Sequence, residues 1–306
     1  FHTHKYMRSC NRRLRQITGR RPPWQVAFKR KGDVDRPKVA SQKQQQPSTR
    51  NCTKLLRPTL VYLGLPHAGS TTLAETLNNH KAMSFGSTKE HEALCGSKGG
   101  VEEKKLANWG LNDYLAEFEV PCETTLAFDM NPLYFAMALN RSHPWITSSN
   151  KLNCWDEPRL GEFVNFLGPK LKFLVTLRDP LKFLVSYFRV DQVLEAPLAM
   201  MRYGCYADFL EAWISAYPNH ELKVTFAEDL FADPVAFFSD LFSWLGVEKL
   251  PKEYYDKQYK ATGRRRTRAL MPSDEFATWF HKHHFMKGCN RRLRKITGRR
   301  LPWQTT

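Results

Sequence analysis

Two stretches of this sequence carry residues suited to holding anions, and a third carries carboxylates suited to moving a proton. Pro66-His67-Ala68-Gly69-Ser70-Thr71-Thr72 follows the apolar run LVYLGL (60–65) and precedes LAETLNNH, in which Leu73 and Leu77 fall one helical turn apart. A strand, a glycine turn and a hydroxyl-rich helix start gather unpaired N–H groups and the positive end of the helix dipole, where negative charge is favoured. Gly69 lets the backbone come close to a phosphate, and Ser70, Thr71 and Thr72 add hydroxyl donors. The second stretch, KFLVTLRDPLKFLVSYFRV (172–190), reads as a buried strand Lys172–Leu177, then Arg178, a helix start at Asp179-Pro180, and a helix carrying Ser186. An arginine fork and a serine hydroxyl at the carboxyl end of a strand suit a second phosphate. The third is Lys89-Glu90-His91-Glu92; in an extended segment Glu90 and Glu92 share a face and His91 does not.

A nucleoside-triphosphate loop of the form G-x-x-x-x-G-K-[ST] is the obvious competitor for the first stretch. Gly64 and Gly69 have its spacing, but Ser70 stands where its lysine belongs. A kinase or ATPase would lack its main cation for the γ-phosphate, so that reading is set aside.

These stretches need a sheet to position them. Strand 60–65, helix 70–79, an apolar segment 124–130, strand 172–177, helix 180–189, strand 222–227 and helix 234–245 alternate as in an α/β domain. The expected fold is an open, mostly parallel sheet of the P-loop NTPase type with helices on both faces. A hydrophobic fraction of 42% over 306 residues supplies a sizeable core and excludes a mostly disordered chain. The sequence contains no apolar run of transmembrane length and no signal peptide, so any membrane contact is expected through a segment outside it.

The net charge of +17 suggests nucleic acid until it is divided along the chain. Residues 1–56 carry 15 Lys/Arg and 2 Asp/Glu, residues 280–306 carry 8 Lys/Arg and no acid, and residues 57–279 are left at −4. The body therefore has no general polyanion-binding character, and no nucleic-acid partner is expected. The seven cysteines form no CxxC, and their odd number leaves at least one thiol free or paired outside the chain. Two glycosylation triplets, at Asn51 and Asn140, are short enough to arise by chance.

The chain also holds a copy of its own end. Phe1–Gln25 aligns without gaps to Phe280–Gln304 with 18 of 25 residues identical. A period of 279 residues is far too long for a solenoid, so residues 1–25 read as the C-terminal remnant of an upstream tandem copy of the domain. A duplicated basic arm that binds something by itself is the alternative. Residues 26–54, polar and rich in Gln and Lys, read as a flexible basic linker, and residues 55–306 as the domain itself. Within the repeat, Leu293 and Ile296 predict a short surface helix ended by Gly298.

In their order, these motifs resemble the sulfotransferases that use 3′-phosphoadenosine-5′-phosphosulfate (PAPS), in particular the Golgi enzymes that modify heparan sulfate. Pro66–Leu73 is similar to that family's P-K-x-G-T-T-x-L loop for the 5′-phosphate, and Arg178-Asp179-Pro180…Ser186 to its R-x-P…S segment for the 3′-phosphate. Lys89-Glu90 resembles the pair that supplies the catalytic carboxylate, Asp129–Tyr134 the S-P-x-Y segment, and FAEDLFADP (226–234) the E-D-L turn. Lys260, Thr262, Gly263 and Arg264 look like the late loop that closes over the nucleotide, and CNRRLRKITGRRLPW like the C-terminal N-x-x-L…G…W stretch. The likeness covers about residues 58–304.

The resemblance implies sulfuryl transfer from PAPS, as co-substrate, to a hydroxyl or amine of a carbohydrate acceptor in the Golgi, with Glu90 as base and no metal. His281-Lys282-His283-His284 is expected to be a polar stretch before the terminal segment rather than a metal site. One departure matters: His67 stands where the family has lysine. With an ordinary pKa near ~6.5, histidine is only partly protonated at neutral pH. Either His67 serves as a weaker acid, assisted by a cation such as Lys89 or Arg264, or the chain is a catalytically weakened module that binds nucleotide or glycan.

Overall fold

A computed structural model of the chain describes residues 52–91, 95–97, 110–135, 152–154, 157–188, 190–255 and 271–304. The repeat at 1–25, most of the linker including Asn51, the glycosylation triplet at Asn140, Glu92 and the late loop with Lys260, Thr262, Gly263 and Arg264 lie outside these residues. Numbered in chain order, the strands are β1 (Thr53–Leu55), β2 (Pro58–Gly64), β3 (Met83–Ser84), β4 (Cys95–Ser97), β5 (Glu119–Pro121), β6 (Leu126–Met130), β7 (Leu152–Cys154), β8 (Lys172–Leu177) and β9 (Glu221–Phe226). The helices are α1 (Ser70–Asn78), α2 (Leu111–Ala116), α3 (Glu157–Leu167), α4 (Pro180–Phe188), α5 (Val190–Glu195), α6 (Pro197–Tyr203), α7 (Tyr206–Ala216), α8 (Ala227–Ala232), α9 (Pro234–Leu245), α10 (Asp274–Lys282) and α11 (His284–Thr297).

Five strands in the order β3-β6-β2-β8-β9 form the main sheet, and every neighbouring pair in it is parallel. Side chains alternate across a strand, so each strand feeds two cores. Val61 and Leu63 of β2 face the side packed by α3, α4, α7 and α11, whereas Leu60 and Tyr62 face α1 and α9. This two-sided burial explains why β2 and β8 read as continuous apolar runs. The fold is the expected α/β sheet with helices on both faces.

Two smaller antiparallel pairs were not legible in the sequence: β1 with β5, and β4 with β7. The first is stapled by a disulfide between Cys52 and Cys122. In the second, Cys95 and Cys154 occupy directly opposed register positions.

The C-terminal helix differs from the expectation. Gly298, at φ 67°, ends it as foreseen, but α11 runs for 14 residues and buries Met286, Cys289, Asn290 and Leu293. The short-helix reading counted only Leu293 and Ile296 as apolar. Cys289, however, is packed inside as half of a disulfide with Cys205 at the start of α7, Cα–Cα 5.4 Å. Asn290 is buried with its Oδ1 accepting from Trp303 Nε1 at 3.4 Å. The Cys205–Cys289 bridge spans 84 residues of sequence. Replacing both cysteines by serine should lower stability by roughly 2–5 kcal/mol, the usual loss for a native bridge. Denaturant titration checks this; an unchanged midpoint would mean the packing of α11 holds without the bond.

Candidate active site

The parallel sheet brings the described candidate segments to one rim. The segments after β3 (85–91), β6 (131–135), β2 (65–69), β8 (178–179) and β9 (from 227) all leave from carboxyl ends of adjacent strands, where open α/β sheets place their ligands. Glu90, the glycine elbow and Arg178 thus share an edge, although they lie up to 111 residues apart in sequence.

The elbow is built by backbone conformation. Gly69 caps α1 with φ 90°, a left-handed value that suits glycine, and a Cβ there would stand 3.0 Å from Leu230 Cδ2. The first intrahelical bond runs from Leu73 N to Gly69 O, so the amides of Ser70, Thr71 and Thr72 precede the helical ladder. Ala68 and Ser70 are buried, Pro66 and Gly69 half-buried, and His67 is exposed. Leu65 N donates to Thr176 O at 3.0 Å, fastening the elbow to β8. On the other side, Gly64 (φ 142°) lies so close to the segment after β6 that a Cβ would stand 2.5 Å from Pro132 O.

Arg178 meets the elbow directly. Its Nη1 donates to His67 O at 2.8 Å and to Ser186 Oγ at 3.4 Å. The eight-residue offset therefore does bring Arg178 and Ser186 into one hydrogen-bonded group, and the elbow joins it. His67 itself adopts φ 60°, uncommon for a residue with a side chain. Although the residue as a whole is exposed, its imidazole stands edge-on to Tyr187, ring centroids 6.0 Å apart. It is held below the ordinary histidine pKa first by this partial desolvation and then by the Arg178 charge.

Beneath Arg178 lies a clamp that the sequence did not reveal. Asp179 Oδ1 accepts from Leu181 N at 2.9 Å and from Lys182 N at 3.3 Å, capping α4. Glu228 Oε1 accepts from Asp179 N at 2.9 Å, and His281 Nε2 lies 3.4 Å from Asp179 Oδ1. Burial raises the Asp179 pKa, but His281 and the Lys182 charge and amide outweigh it, leaving the carboxyl below its usual range. Burial keeps Glu228 above its own. The histidine run is thus more than a polar stretch: His281 touches the clamp, and His283 Nδ1 accepts from Phe285 N at 3.3 Å to cap α11. Among the described residues no group of three or more His, Cys, Asp or Glu is placed to hold a metal ion.

At the other end of the rim, Lys89 Nζ pairs with Glu90 Oε1 at 2.7 Å, with Glu90 exposed. His91 turns the opposite way, buried on Phe118 (ring centroids 4.2 Å apart) with Nε2 bonded to Phe85 O at 2.7 Å. The expected division between Glu90 and His91 is what the chain adopts. Below them Asp129, fully buried, accepts from Tyr114 and Tyr134 hydroxyls at 3.1 Å each. Burial pushes its carboxyl pKa up, against the opposing influence of His91. Tyr114 lies in residues 95–120, a stretch whose sequence shows no motif, and it supports the buried carboxylate from there. The usable signal in the sequence was a lone acid inside an otherwise apolar strand, FDM.

A glycine elbow on the central strand, met by an arginine at the end of the next, sits in an α/β fold of the P-loop-like class. Within that class the chain belongs to the sulfotransferase family, whose model matches residues 58–251. It is 22% identical over 242 residues to the bifunctional heparan sulfate N-deacetylase/N-sulfotransferase 1 of Caenorhabditis elegans, an alignment covering 71% of this chain and 25% of that protein. The protein of the same description from Caenorhabditis briggsae is 23% identical over 221 residues, covering 68% of this chain and 25% of its own length. The chain thus spans about a quarter of these relatives. A sulfotransferase from Alicyclobacillus acidocaldarius shares the fold, with TM-score 0.53 and 16% identity over 80% of this chain and 98% of that one. Among the described residues no helix is long and apolar enough to cross a membrane.

Proposed function

We propose that the protein transfers a sulfuryl group from PAPS to a hydroxyl or amine of a carbohydrate. The observation that carries this is the joining of Arg178, Ser186 and the His67 carbonyl at the mouth of the glycine elbow, which puts the two segments suited to phosphates side by side. In this reading Gly69, Ser70, Thr71 and Thr72, with Pro66, His67 and Ala68 shaping the turn, hold the 5′-phosphate. Arg178 and Ser186 hold the 3′-phosphate. Lys260, Thr262, Gly263 and Arg264, outside the described residues, are assigned to the nucleotide by the family resemblance alone. The bound donor supplies the transferable sulfuryl group; the protein supplies position and charge.

Glu90 takes the acceptor's proton, and Lys89, paired with it at 2.7 Å, aims the carboxylate. No metal is required, because arginine, imidazole, hydroxyls and helix amides provide the donors. The Cys52–Cys122 and Cys205–Cys289 disulfides support an oxidising compartment, in keeping with the Golgi setting that the family resemblance suggests. A transfer assay with labelled PAPS against a panel of uronate-bearing and neutral glycans tests the reading; label transferred to none of them would sink it.

A second reading, a weakened binding module, is favoured by His67. Partial desolvation and Arg178 both disfavour its charged form and hold its pKa below the ordinary histidine value. If protonated His67 stabilises the departing oxygen, kcat/KM falls with rising pH from below about 6.5. His67→Lys should move that fall toward the ordinary lysine range near ~10.4 and preserve or raise turnover at neutral pH. A profile that stays flat between pH 5 and 8 in the unsubstituted enzyme removes the acid role. A large loss of turnover in His67→Lys would count against matching position 67 to the family's lysine.

A further inference from the structure

The berth that receives residues 280–304 is specific. Phe280, Met286, Cys289, Leu293, Leu301 and Trp303 are buried in it. Its polar anchors are equally defined. Arg292 binds Asp208 at 2.8 Å and Glu211 through Nε at 2.8 Å, both on α7. Arg299 pairs with Asp229 at 2.8 Å, His281 with Asp179 at 3.4 Å, and Asn290 with Trp303. The Cys205–Cys289 bond locks the seat.

Phe1–Gln25 repeats these fittings in the same register. Phe1, Met7, Cys10, Leu14 and Trp24 match five of the six buried side chains, and His2, Asn11, Arg13 and Arg20 match all four polar anchors. Only Leu301 is answered by a different residue, Pro22. The other six differences fall at Lys282, His284, Phe285, Lys287, Gly288 and Lys295, which are exposed or half-buried. A segment serving only as a basic arm has no use for the cysteine, the tryptophan and the asparagine that bonds it.

We propose that Phe1–Gln25 is a second plug for this berth, competent to seat at Cys205 of a copy of the domain in place of Phe280–Gln304. The connecting residues 26–51 reach on the order of 80 Å when extended, so chain length does not prevent docking. Covalent exchange needs no outside oxidant. The Cys10 thiolate attacks Cys205 Sγ, the Cys205–Cys289 bond breaks, and Cys289 leaves as a thiolate that takes up the proton, one disulfide replacing another. The proposal is independent of the sulfuryl-transfer reading.

The test uses the full 306-residue chain carrying Cys289→Ser, equilibrated with reduced and oxidised glutathione and mapped by non-reducing proteolysis and mass spectrometry. There the Cys10 and Cys205 thiols pass two electrons and two protons to glutathione disulfide. The expected result is Cys10–Cys205 as the dominant state of Cys205, lost when Leu14→Asp and Trp24→Ala are added. Cys205 left alkylatable or capped by glutathione overturns the proposal. So does a Cys10–Cys205 bond that persists in the Leu14→Asp, Trp24→Ala chain, because it would reflect random encounter. Should Cys289→Ser prove insoluble, the unsubstituted chain in the same buffer gives the reading. A minor Cys10–Cys205 species beside Cys205–Cys289 supports the proposal, and its absence overturns it.

Discussion

Glu90→Gln should lower turnover by roughly 10²–10⁴-fold, the usual contribution of a positioned general base, while leaving affinity for the desulfated nucleotide unchanged. Glutamine keeps the shape and still accepts a hydrogen bond from Lys89, which sits 2.7 Å from Glu90 Oε1, so the substitution removes the base and little else. Because Glu90 is exposed and bonded to no element of the core, folding stability should hold. Single-turnover kinetics with saturating donor separate chemistry from binding. A loss smaller than about tenfold would move the base to a neighbour, with Glu92 the first to examine. His91 is not a candidate, since its ring is buried and Nε2 is committed to Phe85 O.

Arg178→Ala should weaken binding of 3′-phosphoadenosine-5′-phosphate by about 10²-fold or more. The guanidinium fork can offer two charge-assisted bonds, and each is worth ~1.5–3 kcal/mol. The same side chain also holds the His67 carbonyl at 2.8 Å, so its removal loosens the elbow as well. Ser186→Ala separates the two effects: it removes a hydroxyl at the cradle without touching the elbow and should cost about tenfold. Arg178→Lys should recover only part of the loss, since an ammonium is a point charge without a planar fork. Calorimetry with the product nucleotide measures all three. Unchanged affinity in Arg178→Ala would detach this residue from the 3′-phosphate altogether.

The main sheet was readable because its strands are buried on both faces and therefore appear as unbroken apolar runs. LVYLGL and KFLVTL could be nothing exposed, and the turns after them carried the anion-binding pattern. What escaped was whatever depends on partners distant in sequence. Cys289 gave no hint that Cys205 lies against it, so α11 looked like a surface helix rather than a wall of the core. Asp179 read as a helix start; its contacts with Glu228 and His281 come from elements about 50 and 100 residues away. Asp129 seemed part of an unremarkable motif until Tyr114, from a stretch with no pattern, proved to bond it. Local periodicity reports which residues are buried; it does not report which buried polar groups satisfy one another.

The hydrogen atom that serves as the side chain of Gly64 has a wider reach than its size suggests. Were it a methyl, it would stand 2.5 Å from the Pro132 carbonyl and act as a wedge between two neighbouring turns. One of those turns continues into Pro66–Ser70 and the other into Tyr134, whose hydroxyl steadies the buried carboxylate beneath Glu90. The glycine elbow and the buried carboxylate beneath Glu90 are therefore in mechanical register through a single bare α-carbon, and a shim inserted there would displace both at once.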